Sequence, residues 1–148
     1  MSNLEKIPVT ILTGFLGAGK TTLIRNLIIK NKSKRLAVII NEFGDLGVDG
    51  EIVKQCSDET CPEENILELA NGCICCTVAD DFVPTMQTLL DGKYLPEHIL
   101  IETSGLALPK PLLKAFEWPE IRSKLTVDSV LAVVDAEAVV NGVFAPQI

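Results

Sequence analysis

The run Gly14-Phe15-Leu16-Gly17-Ala18-Gly19-Lys20-Thr21 constrains this chain more than any other feature. Its Gly-x4-Gly-Lys-Thr spacing has a mechanical reason at each fixed position. The glycines permit backbone conformations that curl N–H groups around phosphate oxygens. Lys20 reaches the outer phosphates, and the Thr21 hydroxyl suits a magnesium ion. The flanks agree with this reading. A short β-rich run, Pro8-Val9-Thr10-Ile11-Leu12-Thr13, enters the motif. Thr21 to Asn31 leaves it with Leu23, Ile24, Leu27 and Ile28 on one helical face. Strand, glycine turn and helix in that order bring a positive dipole end to the anion. Gly14, Gly17, Ala18, Gly19, Lys20, Thr21 and Thr22 are therefore the expected phosphate-binding residues. The motif specifies phosphates and is silent on the base.

Further along, apolar strand patterns alternate with helical ones. Leu36-Ala37-Val38-Ile39-Ile40 is apolar throughout, as parallel strands covered on both faces tend to be. Asn41 to about Asn65 reads as a loop with a short helix near Glu51 to Gln55, and Ile66 to Leu69 as a brief strand. Asp80 or Asp81 can cap a helix that shows Phe82, Val83, Met86, Leu89 and Leu90 on one face and ends at Gly92. Ile99 to Ile101 and Val130 to Val134 are the remaining strands, with a helix from Pro109 through about Phe116 between them. This order predicts a three-layer α/β domain of the P-loop NTPase type, SIMIBI-like, with a mainly parallel central sheet. The last residues follow a strand with no obvious sheet edge or cap, which predicts a domain truncated at its C-terminus.

Composition narrows the function classes. Thirteen basic against twenty acidic residues give a formal charge of −7, which argues against bulk nucleic-acid binding. The basic group Lys30, Lys32, Lys34 and Arg35 closes the first helical pattern, where it suits the negative end of a helix dipole. No apolar run reaches the length of a bilayer span, and the first residues lack the basic and apolar regions of a signal peptide. The expected compartment is the cytoplasm, where close cysteine spacing points to metal or catalysis rather than to a disulfide framework.

A magnesium-nucleotide site needs carboxylates to hold the ion or its waters and to position an attacking water. Asn41-Glu42-Phe43-Gly44-Asp45-Leu46-Gly47-Val48-Asp49 supplies Glu42, Asp45 and Asp49 after the second strand. Glu102 ends the Ile99 to Ile101 strand, at the carboxyl edge where ligands of open α/β sheets sit. Gly105 lets a backbone N–H approach the terminal phosphate. Asp49 and Glu102 are thus candidates both for magnesium and, with Lys20, for catalysis. His98, at the start of that strand, is expected to be structural. Cys73-Ile74-Cys75-Cys76 presents three thiols within four residues, suited to Zn²⁺, Cu⁺ or tetrahedral Co²⁺. Three thiolates leave a position open, as delivery of the ion requires. Cys56 and Cys61 are more loosely spaced and receive no fixed role.

GFLGAGKTT at Gly14 to Thr22, NEFG at Asn41 to Gly44, NGCICC at Asn71 to Cys76 and ETSG at Glu102 to Gly105 together resemble the CobW family of P-loop GTPase metallochaperones. The similarity runs along almost the whole chain and is strongest to the members associated with cobalamin biosynthesis. It implies GTP hydrolysis, Mg²⁺ dependence and delivery of Co²⁺ to the corrin ring. It also implies that Cys73, Cys75 and Cys76 form the transition-metal motif, with Glu42 as an acid near that metal and the switch region. GTP and GDP, a metal-acceptor protein such as cobaltochelatase, and a nucleotide- or metal-dependent homodimer are the implied partners. Zinc as cargo, or a metal-sensing regulator with negligible turnover, remain open alternatives. Residues 1–148 are expected to be the N-terminal part of the GTPase domain. The Asn-Lys-x-Asp guanine-reading motif and the family's C-terminal domain are absent from them.

Overall fold

The computed structural model describes residues 5–14, 18–41, 65–69, 82–93, 95–103 and 109–142. Five strands make one sheet: β1 (Ile7–Thr13), β2 (Leu36–Asn41), β3 (Ile66–Leu69), β4 (His98–Glu102) and β5 (Leu125–Ala132). Their spatial order is β3-β2-β4-β1-β5, and every pairing is parallel. Helix α1 (Lys20–Lys30) follows β1, and α2 (Val83–Leu90) precedes β4. Helices α3 (Pro109–Ala115) and α4 (Pro119–Arg122) link β4 to β5, and α5 (Ala136–Val140) follows β5.

Strand alternation sorts the apolar residues onto two faces. Leu12, Leu36, Val38, Ile40 and Leu100 pack with Ile24 and Ile28 of α1, while Leu23 and Leu27 close the margin. Val9, Ile11, Ala37, Ile39, Ile99 and Ile101 point the other way and meet Phe82, Met86, Leu112 and Phe116. Phe82 and Phe116 meet edge to face at 5.5 Å between ring centres, the arrangement their quadrupoles favour. Three layers result, as the sequence predicts. The α1 layer covers one face, and α2, α3 and α4 cover the other.

Connectivity then selects where a ligand can sit. The chain leaves β1 through α1 and crosses β4 to reach β2. It leaves β4 in the opposite direction, through α3 and α4, and crosses β1 to reach β5. Neighbouring strands whose exits diverge open a crevice at their carboxyl ends. That crevice lies between β1, which leads to Gly14, and β4, which ends at Glu102.

The structure corrects one element. The expected strand from Val130 to Val134 is in fact Leu125–Ala132, and α4 has no counterpart in the expected elements. The register of β5 against β1 shifts after Val9: Val127 pairs with Val9 but Ser129 pairs with Thr10, so Asp128 is the extra residue of a bulge. A polar bulge inside Leu125-Thr126-Val127-Asp128-Ser129 breaks the apolar run that marks a buried strand. Among the described strands β5 pairs only with β1, and Val130 and Leu131 remain exposed. The basic group after α1 also divides. Lys30 lies in the last turn, whereas Arg35 pairs with Glu97 at 3.1 Å and donates to the Leu95 carbonyl.

His98 is structural, as expected. Its Nε2 lies 2.8 Å from Thr10 Oγ1, which lies 3.2 Å from Ser129 Oγ, so three strands share a polar chain. Burial lowers the His98 pKa from the ordinary value; Asp128 opposes the shift and Lys34 adds to it. A depressed histidine pKa means that the unfolded chain takes up the proton first. The stability due to neutral His98 is therefore complete above the ordinary range and is lost as pH falls through the folded-state value. Melting temperature should drop more between about pH 7.5 and about pH 5 in the native chain than in His98→Gln. Equal drops would show that His98 does not contribute.

Candidate functional site

β1 ends by delivering Gly14 to the crevice, and two contacts fix it there. Val133, just past β5, donates its N–H to the Thr13 carbonyl at 2.8 Å. Its own carbonyl oxygen would lie 2.3 Å from a Cβ built on Gly14, whose φ is +144°. Both the space and the backbone angle require glycine here. Gly19, with φ +101°, is the residue before α1, and its carbonyl accepts the first helical bond from Leu23. No side chain caps the helix at Gly19. The first-turn N–H groups of α1 thus face the end of the crevice, a favourable place for an anion.

Lys20 opens α1, and its side chain turns inward. It is only 5% exposed. Nζ donates to the Gly14 carbonyl at 2.6 Å and to the Thr103 carbonyl at 2.9 Å, and lies 3.9 Å from Glu102 Oε1. Glu102 is placed by register: it pairs with Leu12 of β1 on one side and with Ile40 of β2 on the other. Alternation along β4 directs it to the α1 side of the sheet, as it does Leu100. The expected Lys20 and Glu102 therefore meet, in a buried ion pair 82 residues apart in sequence.

Thr21 follows Lys20 in the first turn and is half-buried; Thr22 is exposed. Hydroxyl and carboxylate oxygens are the donors that a hard divalent cation prefers, so Thr21 and Glu102 fit magnesium. Ala18 and Gly19 are described at the same end. Gly17, Glu42, Asp45, Asp49, Cys56, Cys61, Cys73, Cys75, Cys76 and Gly105 lie outside the described residues. Among the described residues no three His, Cys, Asp or Glu side chains are grouped to hold a metal, and no helix is long and apolar enough to cross a membrane.

One site residue escaped the sequence reading. Thr103 is fully buried and donates both its N–H (2.9 Å) and its hydroxyl (3.1 Å) to the Leu12 carbonyl, while its own carbonyl accepts from Lys20. Its sequence signals were its place directly after a strand-end acid and within the ETSG stretch, neither of which names its role.

The strand, glycine turn, inward lysine and neighbouring strand-end acid define a P-loop nucleotide-binding α/β domain. The family described as CobW/HypB/UreG, nucleotide-binding domain, matches residues 8–146, and the chain belongs to it. It is 63% identical over 144 residues to a protein named zinc chaperone CobW from Sinorhizobium sp, covering 97% of this chain and 41% of the relative. A protein of the same name from Pseudomonas aeruginosa is 58% identical over 148 residues, with 98% and 40% covered. The crystal structure of Zn(II)-bound YjiA GTPase from E. coli superposes with a TM-score of 0.60 at 29% identity, covering 93% of this chain and 43% of that one. The chain thus spans about two fifths of the length of the curated relatives it matches.

Gly14→Ala should cost on the order of 1–3 kcal/mol in backbone strain alone. Thermal melting and binding of a fluorescent guanine nucleotide provide the check, with both expected to weaken. A variant that melts and binds like the native chain would show that the Val133 contact does not shape the cradle.

Proposed function

We propose that this chain is the nucleotide-binding part of a cytoplasmic GTP-hydrolysing metallochaperone, in which nucleotide state gates a thiolate metal site. The observation that carries the reading is the buried Lys20 held between the ends of β1 and β4 beside Glu102. In this reading Lys20 moves to the β/γ-phosphates, where its charge stabilises the transferring group. Gly14, Gly17, Ala18, Gly19, Thr22 and Gly105 line the phosphates with backbone or hydroxyl donors. Thr21, Glu102 and Asp49 hold magnesium directly or through water, and Glu102 or Asp49 orients the attacking water. Magnesium, when bound, neutralises charge between the β- and γ-phosphates. Guanine preference rests on family membership, since no Asn-Lys-x-Asp motif occurs in residues 1–148.

The transferred metal is a separate matter. Cys73, Cys75 and Cys76, with Glu42 nearby, supply soft donors that accept either Zn²⁺ or Co²⁺. The resemblance in sequence led first to cobalt for the corrin ring. The names of the relatives favour zinc: two are called zinc chaperones, and the YjiA crystal is Zn(II)-bound. Zinc is therefore the cargo we assign, with Co²⁺ for cobalamin synthesis as the competing one. A metal-acceptor protein receives the ion, and metal- or nucleotide-dependent pairing of two copies remains part of this reading.

A titration with Zn²⁺ against a competing chelating dye, with and without Mg²⁺ and a non-hydrolysable GTP analogue, tests the gate. Nucleotide should tighten zinc binding by about tenfold, a coupling of about 1.4 kcal/mol. Equal affinities would remove the gate, because a ligand with no differential affinity shifts no equilibrium. Repeating the titration with Co²⁺ shows whether the gate acts on that ion as well, and negligible turnover, unchanged by metal and acceptor, would point to a regulator instead.

A further inference from the structure

We infer that Thr103 is the positioning residue that aims Lys20 into the phosphate cradle and links it to the Leu12 end of β1. The inference rests on the nucleotide-site reading above and names a residue to which the sequence reading gave no role. Thr103 is 0% exposed. Its two donors converge on one acceptor, the Leu12 carbonyl, at 2.9 Å from N and 3.1 Å from Oγ1. An N–H bond alone leaves the peptide free to rock about its axis. The second bond, made through a β-branched side chain with few rotamers, removes that freedom. With its N–H and χ1 both anchored, Thr103 is held in place at the end of β4 and its carbonyl can turn only about ψ; there it accepts from Lys20 Nζ at 2.9 Å.

The anchor sits where the cradle begins. Leu12 pairs with Glu102 in the β1–β4 ladder, and Gly14, two residues on, supplies the other carbonyl that Lys20 contacts. The lysine is therefore suspended between two carbonyls whose separation is set by the Leu12–Thr103 junction. Its ammonium can be drawn toward a phosphate without a search through rotamers. This is preorganisation of a charge that acts on the developing transition state, so its loss falls on turnover as well as on binding. Thr103 itself touches neither phosphate nor metal in this scheme.

Thr103→Val keeps the branched shape and the N–H bond and removes only the hydroxyl. Thr103→Ser restores the hydroxyl, and Lys20→Met removes the ammonium but keeps the stem. Measured on the full-length protein, Thr103→Val should lower affinity for a GTP analogue and kcat by about tenfold each in the Lys20 background, and by less than about twofold in the Lys20→Met background. Thr103→Ser should return both to within about twofold of the native values. Without nucleotide, the loss of melting temperature caused by Thr103→Val should shrink by about half when Lys20 is already Met. Effects that simply multiply across the two positions, with or without nucleotide, would overturn the inference. Coupled melting temperatures in a protein that binds no guanine nucleotide would leave Thr103 as the lysine's anchor and sink the nucleotide reading instead. Should Thr103→Val fail to fold, Thr103→Ala takes its place in the same cycle.

Discussion

Lys20 Nζ lies 2.6 Å from the Gly14 carbonyl and 2.9 Å from that of Thr103, where the ends of β1 and β4 meet the start of α1. Taking an ammonium out of water costs several kcal/mol even after the surroundings relax. Hydrogen bonds to a charged group return about 1.5–3 kcal/mol each, and Glu102 at 3.9 Å contributes further attraction. These quantities are close to balance. Such a charge is tolerated without strongly stabilising the fold, and so it can be handed to a better acceptor. A phosphate carries formal negative charge and competes well against neutral carbonyls.

The sheet makes that meeting possible. β4 is inserted between β1 and β2, so Glu102 and the glycine turn become neighbours although 82 residues separate Glu102 from Lys20. The two apolar clusters hold the insertion in place. Ile24 and Ile28 draw α1 down on Leu12 and Leu100, and this also fixes the angle at which Lys20 enters the crevice. Burial of the aliphatic face and placement of the cation are one event. A helix that slid by a single residue would lose both.

Sequence patterns revealed this arrangement unevenly, for physical reasons. Gly14, Gly19 and Lys20 were legible because the turn and the helix start have local needs, and local needs show up as fixed spacing. Glu102 was legible because a strand-end acid follows the buried run from Ile99 to Ile101. The start of β5 was not, since the bulge at Asp128 interrupts the alternation by which strands are recognised. Thr103 was not legible either. Its part is played by a backbone carbonyl, which every residue has, and by a hydroxyl whose acceptor lies on another strand. Nothing in the residues around Thr103 encodes the register that brings Leu12 opposite. The Val133 carbonyl against Gly14 is hidden for the same reason: a motif shows that glycine is needed, whereas the object that forbids a Cβ comes from the far end of the domain.

The placement of the anchors also bears on how a nucleotide signal could leave the cradle. The end of β1 is tied on both sides, by Val133 N to the Thr13 carbonyl and by Thr103 to the Leu12 carbonyl. A phosphate that draws Lys20 away takes a hydrogen bond from each of the two carbonyls that hold it. Gly14 keeps its place, because the Val133 N–H holds the adjoining Thr13 carbonyl. Thr103 keeps its bonds to Leu12, but its carbonyl loses the charged partner that fixed its direction. The loss of one lysine contact is thereby felt asymmetrically, on the β4 side of the crevice. Within the proposed function, Lys20 and the Thr103 carbonyl share one hydrogen bond, so a change at the phosphate reaches the end of β4 without a long chain of contacts.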